Sequence, residues 1–262
     1  MNSPDLNISF TQQAHGGDLN SHSEAKLRVL LIVDAQNDFM PDGALPVPDG
    51  DQIVPVINQL ISSGHYDLVI RTRDWHPENH VSFSDNHKDA VPFSTIVGDS
   101  GQTYQVFPRH CIAGTRGAEI HPDLSPRCDY EILKGQDPER ECFSAFRDTR
   151  GERDTELKSI LDAELYRRGF LTQDLELTVT GLALNICVAA TLRDAHALGI
   201  RSVLAVDASR SVGITAPQEF DLLRELEGAH NVRITSSIDI FRERALMQSL
   251  SPNRLHEIPM SP

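Results

Sequence analysis

The sequence predicts an α/β protein in which a parallel β-sheet is covered by helices on both faces. Short apolar, β-branched runs alternate with segments whose apolar residues recur at helical spacing, and this alternation continues along most of the chain. Length agrees, because 262 residues of which 39% are hydrophobic can bury one sizeable core without dividing.

Residues 1–26 are rich in Ser, Asn, Asp, His and Gly and read as a mobile leader that the fold does not need. The first strand is expected over 27–34, where Leu-Arg-Val-Leu-Leu-Ile-Val-Asp is almost wholly apolar. A helix near 51–63 and a strand over 67–73 follow. Residues 76–129 then break the rhythm, and a stretch so long and so crowded with His, Phe and Pro reads as functional. The alternation resumes with a strand at 130–134, a helix at 155–168, a strand over 175–182 and a helix over 185–198. A strand at 201–208, a helix near 217–227 and a last strand at 232–236 complete it. One domain over 27–250 is expected, with a polar tail at 251–262.

The balance of 24 Lys+Arg against 38 Asp+Glu gives a formal charge of -14, which repels phosphate backbones and anionic membrane surfaces. Neither nucleic acid nor a membrane is expected as a partner. No apolar stretch is long enough to span a bilayer and the leader lacks a signal-peptide core, so a cytoplasmic location is expected. The four cysteines, Cys111, Cys128, Cys142 and Cys187, form no CxxC pair and read as reduced thiols.

Three strand ends bear reactive groups. Cys187 follows Gly181 where an apolar run turns into a helix, the place where chemistry gathers in open parallel sheets. The positive end of the helix dipole there favours thiolate over thiol, although free cysteine is equally at home as a small buried hydrophobe. Asp34 ends the first strand and can act as a base beside a thiol, or simply cap the following turn. Lys134 ends another strand, where it either reaches the same rim as a cation or is a solvated surface charge.

The second strand runs into Arg-Asp-Trp-His-Pro-Glu-Asn-His. Asp74 and His76, two residues apart in extended chain, point to one side and can chelate one ion. His110 lies in the same irregular stretch. One carboxylate and two imidazoles with open positions suit Zn²⁺, Fe²⁺ or Mn²⁺. His80 is a candidate fourth ligand and Cys111 a weaker one, while each of the eleven histidines taken singly reads as a surface or loop residue.

Several motifs, in order, resemble the isochorismatase-like cysteine hydrolases and, among them, the nicotinamidases, also called pyrazinamidases. They are Val-Asp-Ala-Gln-Asn-Asp-Phe-Met at 33–40, Asp-Trp-His-Pro at 74–77 and His-Cys-Ile-Ala-Gly-Thr-Arg-Gly-Ala-Glu at 110–119. Lys-Gly at 134–135, Phe-Ser-Ala-Phe at 143–146 and Gly-Leu-Ala-Leu-Asn-Ile-Cys-Val at 181–188 complete the set, which spans 27–237. The resemblance implies a three-layer α/β/α fold with a six-stranded parallel sheet, a triad of Asp34, Lys134 and Cys187, and a cis peptide between Leu182 and Ala183. It also implies an oxyanion hole from the backbone N–H groups of Ala183 and Cys187. The implied cofactor is one divalent ion on Asp74, His76 and His110, Zn²⁺ first with Fe²⁺ or Mn²⁺ as alternatives, which binds the ring nitrogen of nicotinamide. By motif position, Phe39, Phe107 and Phe143 form the ring's walls.

The implied partner is thus a small molecule, nicotinamide, with pyrazinamide as a further substrate, and a homo-oligomer is compatible with the sequence. Three positions depart from the family pattern: Phe107 stands where Trp is common, Phe143 where Tyr is common, and Asn185 where Asp is usual. Two other functions fit part of the sequence. A sibling hydrolase of another small amide shares the triad but generally lacks the metal set, and a non-catalytic redox module would use Cys187 without needing Asp34 and Lys134.

Overall fold

A computed structural model of the protein describes residues 27–98, 101–228 and 232–250. The leader expected at 1–26 and the tail at 251–262 lie outside the described residues. Eight strands are present among the described residues: β1 (Leu27–Val33), β2 (Leu68–Asp74), β3 (Thr95–Val97), β4 (Thr103–Gln105), β5 (Tyr130–Lys134), β6 (Leu175–Leu182), β7 (Arg201–Arg210) and β8 (Val232–Thr235). The α-helices are α1 (Ile53–Ser62), α2 (Leu157–Arg168), α3 (Ala189–Ala197), α4 (Ala216–Gly228) and α5 (Ser237–Leu250). Six strands form one all-parallel sheet in the order β5-β2-β1-β6-β7-β8.

Alternation along β1 explains the layering. Leu27, Val29, Leu31 and Val33 enter one core, whereas Leu30 and Ile32 enter the other. The first core is closed by α2, α3 and α4 through Leu161, Leu192 and Leu226, and the second by α1 and α5 through Ile57, Leu60 and Ile240. Burying each Leu or Ile contributes about 1.5–3 kcal/mol, and burial on both faces is why β1 reads as an unbroken apolar run. The fold is the three-layer α/β/α arrangement that the sequence predicts.

Two elements depart from the expected pattern. Inside 76–129, β3 and β4 pair as a short antiparallel hairpin whose residues are mostly exposed, so no buried periodicity marks it. Beyond the last strand, α5 carries exposed Ile238 and Leu246 as well as buried Ile240, so its apolar residues form no clean stripe. No helix among the described residues is long and apolar enough to cross a membrane.

Topology selects the position of the site. The chain proceeds from β1 to β2 and later β5 on one side, then crosses to β6 on the other side of β1 and continues outward. The carboxyl ends of β1 and β6 therefore flank the switch point, where open α/β sheets bind ligands. Gly181 pairs there with Val33 at φ +114°, and a Cβ on it would lie 2.0 Å from the Val33 carbonyl oxygen. Only glycine lets these two strands approach so closely.

Candidate active site

Strand register assembles the centre. Asp74 at the end of β2 pairs directly with Lys134 at the end of β5, and Asp34 and Cys187 follow β1 and β6 on the same rim. Lys134 Nζ lies 2.8 Å from Asp34 Oδ2 and 2.5 Å from Asp74 Oδ1, and it donates to the Cys142 carbonyl at 3.0 Å. Cys187 Sγ is 3.6 Å from the same nitrogen. An oxygen of Asp34, an oxygen of Asp74 and Cys187 Sγ all lie within 4.8 Å of one another, with the ammonium of Lys134 among them. A buried cation with two carboxylates around it satisfies charges that would be prohibitive singly.

Neighbouring groups fix the acid and the thiol. Thr72 Oγ1 donates to Asp34 Oδ1 at 2.6 Å and accepts the Asp34 N–H at 3.2 Å. Asp34 itself adopts φ +50°, a conformation non-glycine residues rarely hold outside constrained sites. After β6, the peptide between Leu182 and Ala183 is cis, and the Ala183 carbonyl accepts the N–H groups of both Ile186 and Val188 at 3.0 and 3.2 Å. Residues Leu184–Val188 thereby form a π-helical turn that bears Cys187 ahead of α3. Thr191 locks the turn by donating to the Cys187 carbonyl at 2.7 Å.

The electrostatics differ from the expectation for a helix N-terminus. Burial pushes the Cys187 thiol well above its ordinary range, the Lys134 cation only partly opposing it. Burial also raises Asp34, to about 6, against the pull of Lys134. Lys134 is held charged: burial opposes its charge, but Asp34 and Asp74 outweigh it. For Asp74, burial is likewise overcome by Lys134 and His76, which hold the carboxyl well below the usual range.

Beside this centre, Asp74, His76 and His110 present one ligand atom each within 4.8 Å of one another, all three side chains being buried. His76 Nδ1 lies 2.9 Å from the Gly135 carbonyl and His110 Nδ1 lies 2.7 Å from the Pro108 carbonyl. A carbonyl only accepts, so each Nδ1 carries a proton and each Nε2 is the nitrogen turned to the other donors, the usual support for a metal-binding imidazole. His76 Nε2 is buried without a hydrogen-bond partner, 3.7 Å from Asp74 Oδ2. Burial lowers His110 to about 4, which keeps it neutral. This donor set fits a divalent transition ion.

His80 does not join it. Its ring stacks on His76, but its Nδ1 is 2.7 Å from Ser82 Oγ and its Nε2 3.0 Å from the Arg140 carbonyl, so both nitrogens are engaged elsewhere. Cys111 also lies outside the group, its backbone N–H donating to Asp38 Oδ2 at 2.7 Å.

A cavity of about 540 Å³ opens onto both halves, and Phe39, Phe107 and Phe143 line it with Asp74, His110, Ala183 and Cys187. The Phe107 and Phe143 rings meet edge to face at 6.3 Å. Glu141, which the motifs did not single out, also lines the cavity; one oxygen accepts the Cys142 N–H at 2.8 Å. Gln36, buried within the first motif, ties the loops together by donating to the Asp74 and Ala118 carbonyls and accepting the Asp74 N–H. Asn185 donates to the Val212 carbonyl and accepts the Val212 N–H, both at 2.9 Å, a pairing that aspartate could only half supply.

Comparison with known proteins agrees with this architecture. A family model described as the isochorismatase domain matches residues 28–237. A nicotinamidase from Acinetobacter baylyi is 39% identical over 184 residues, covering 70% of this chain and 81% of that protein. The solved structure of a nicotinamidase/pyrazinamidase from Acinetobacter baumanii has a TM-score of 0.72 at 36% identity, covering 82% of this chain and 98% of the other. That of a pyrazinamidase from Pyrococcus horikoshii in complex with zinc has a TM-score of 0.60 at 33% identity, covering 80% and 99%. With this extent of match in sequence and fold, the chain belongs to the isochorismatase family and, within it, stands with the nicotinamidases.

Proposed function

We propose that the chain hydrolyses nicotinamide to nicotinate and ammonia through a thioester on Cys187, and pyrazinamide to pyrazinoate in the same way. The observation that supports this best is that Cys187, Asp34 and Lys134 meet beside three metal-type donors, Asp74, His76 and His110, with Cys187, Asp74 and His110 lining one cavity.

Asp34 takes the proton of the buried Cys187 thiol as sulfur attacks the carboxamide carbon, so negative charge passes from sulfur to the carbonyl oxygen. The N–H groups of Ala183 and Cys187 receive that oxyanion. The carbon–nitrogen bond then breaks, Asp34 returns the proton to the departing nitrogen, and ammonia leaves behind a thioester. Asp34 next takes a proton from water as its oxygen attacks the thioester, and the thiol regains that proton when nicotinate is released. Lys134 holds the carboxylates and thiol in register throughout. Asp74, His76 and His110 would hold a divalent ion, which would supply Lewis-acid chemistry for positioning the pyridine ring, and the zinc of the Pyrococcus horikoshii relative supports Zn²⁺ as that ion. Phe39, Phe107 and Phe143 wall the flat ring, and nicotinate production would serve NAD salvage.

Ammonia release from nicotinamide tests this directly. Cys187→Ala lowers the rate by about 10⁴-fold or more with the fold intact. Chelation abolishes turnover at low substrate, and added Zn²⁺, Fe²⁺ or Mn²⁺ restores it. Full activity in Cys187→Ala would sink the covalent route, and unchanged activity after verified metal removal would sink the ring anchor. Turnover of another amide but not of nicotinamide would favour a sibling hydrolase.

A further inference from the structure

We propose that the outer part of the cavity is an apolar compartment for an alkyl or aryl substituent, which makes pyridine-3-carboxamides substituted at ring carbon 5 better substrates than nicotinamide itself. This rests on the nicotinamide reading above and extends it.

Volume is the first reason. At about 30 Å³ for each water in the liquid, a 540 Å³ cavity holds the equivalent of roughly 18 waters. A single six-membered ring with its carboxamide fills roughly a quarter of that, about five water volumes, and an ion with its waters takes only a few further places. Space for a short chain or a second ring remains.

The second reason is where that space lies. Asp74, His110 and Cys187 are buried and form the floor, whereas Phe93 is 58% exposed and marks the mouth. With the ring nitrogen towards the histidines and the carboxamide carbon on Cys187, ring carbon 2 lies between them and faces the floor. Carbon 5 is diametrically opposite and faces the mouth. Of the aliphatic lining, Leu45 and Val47 are as buried as that floor, whereas Val212 and Ile214 are partly exposed and, with Phe93 and Gln105, reach solvent.

The third reason is the backbone at Phe93. It holds φ +68°, a conformation that is a genuine outlier for a bulky residue, with its N–H donating to the Val106 carbonyl at 2.6 Å. The constraint presents an aromatic ring to the mouth, edge to face with Phe107 at 6.1 Å. Asn185 fixes Val212, another lining residue, through both of its amide atoms.

The test measures kcat/KM for ammonia release by the full chain with its metal, on nicotinamide, 5-propylnicotinamide and 5-(2-hydroxyethyl)nicotinamide. The last two have equal length and differ in polarity. Burial of the propyl group in an aliphatic compartment raises kcat/KM about tenfold over nicotinamide, and the hydroxyethyl compound gains nothing. Ile214→Trp, which fills the compartment, lowers the propyl-to-nicotinamide ratio about tenfold. A propyl compound at or below nicotinamide in the unmodified chain, or a hydroxyethyl compound that gains as much, overturns the compartment while leaving the deamidase intact. Absence of nicotinamide turnover overturns the underlying reading and takes the compartment with it.

Discussion

The two halves of the site are built differently. Lys134, Asp74, Asp34 and Cys187 stand at or just beyond the ends of four neighbouring strands, so sheet register sets their spacing. His110, Phe107 and Phe93 come instead from the irregular stretch between β2 and β5, where single contacts such as the Cys111 N–H to Asp38 hold the chain. A group set by register moves only if the sheet moves. One set by a loop can shift by itself, so damage to the first half falls on stability and activity together, and damage to the second falls on binding first.

The largest effect should follow Lys134→Met. Removing the ammonium leaves Asp34 and Asp74 buried without their partner, which costs about 3–5 kcal/mol of unfolding free energy along with activity. Urea denaturation measures it, and an unchanged midpoint would break the comparison. Next in size is Gly135→Ala, at the join of the two halves. Gly135 has φ +67°, and a Cβ there would lie 2.3 Å from His76 Cε1, so the ring whose Nδ1 its carbonyl receives must move. A stability loss of about 1–3 kcal/mol is expected, with metal content by elemental analysis falling out of proportion to it.

Asn185→Asp acts where the turn bearing Cys187 meets the wall at Val212. Loss of the donor to the Val212 carbonyl costs about 1 kcal/mol and raises KM more than it lowers kcat. A lowered kcat at unchanged KM would place Asn185 with the register-held half. The smallest effect is a control remote from the cavity. Glu164 on α2 accepts the Tyr130 hydroxyl at 2.6 Å and pairs with Arg167 and Arg168; these partners overcome burial and hold its carboxyl below the usual range. A depressed carboxyl stabilises the fold above its unfolded pKa, and that stabilisation is lost as pH falls through the folded value. The stability gap between wild type and Glu164→Gln should therefore be full at pH 7, narrow below about pH 4.5 and close in stronger acid, with activity unaffected.

The same division governs what the sequence discloses. The three-layer fold, β1 with Asp34 after it and β6 ahead of the turn to Cys187 were legible because buried strands leave continuous apolar runs, while the edge strand before Lys134, with exposed Glu131, left a weaker trace. Asp74 and His76 shared the advantage of β1 and β6. His80 was not separable from them by spacing, because its engagement by Ser82 and Arg140 depends on how the loop folds back. Gln36 and Glu141 sat in or near recognised motifs but carry roles made by three-dimensional contacts, and the thiol's protonation turned on burial, which a helix-start argument leaves out. The β3–β4 hairpin and the apolar mouth left no periodic signal at all.

The contact between Gly181 and Val33 has a consequence for how this chain can change over time. Since even a methyl group at Gly181 would meet the Val33 carbonyl at 2.0 Å, the gap between the strands bearing acid and nucleophile has no slack. New substrate preferences must therefore arise by substitution around the entrance, while the strand pair beneath stays frozen. A mutational library would show this as two populations: positions on β1 and β6 near the switch point admitting almost nothing, and Phe93, Val212 and Ile214 around the entrance accepting change and redirecting specificity.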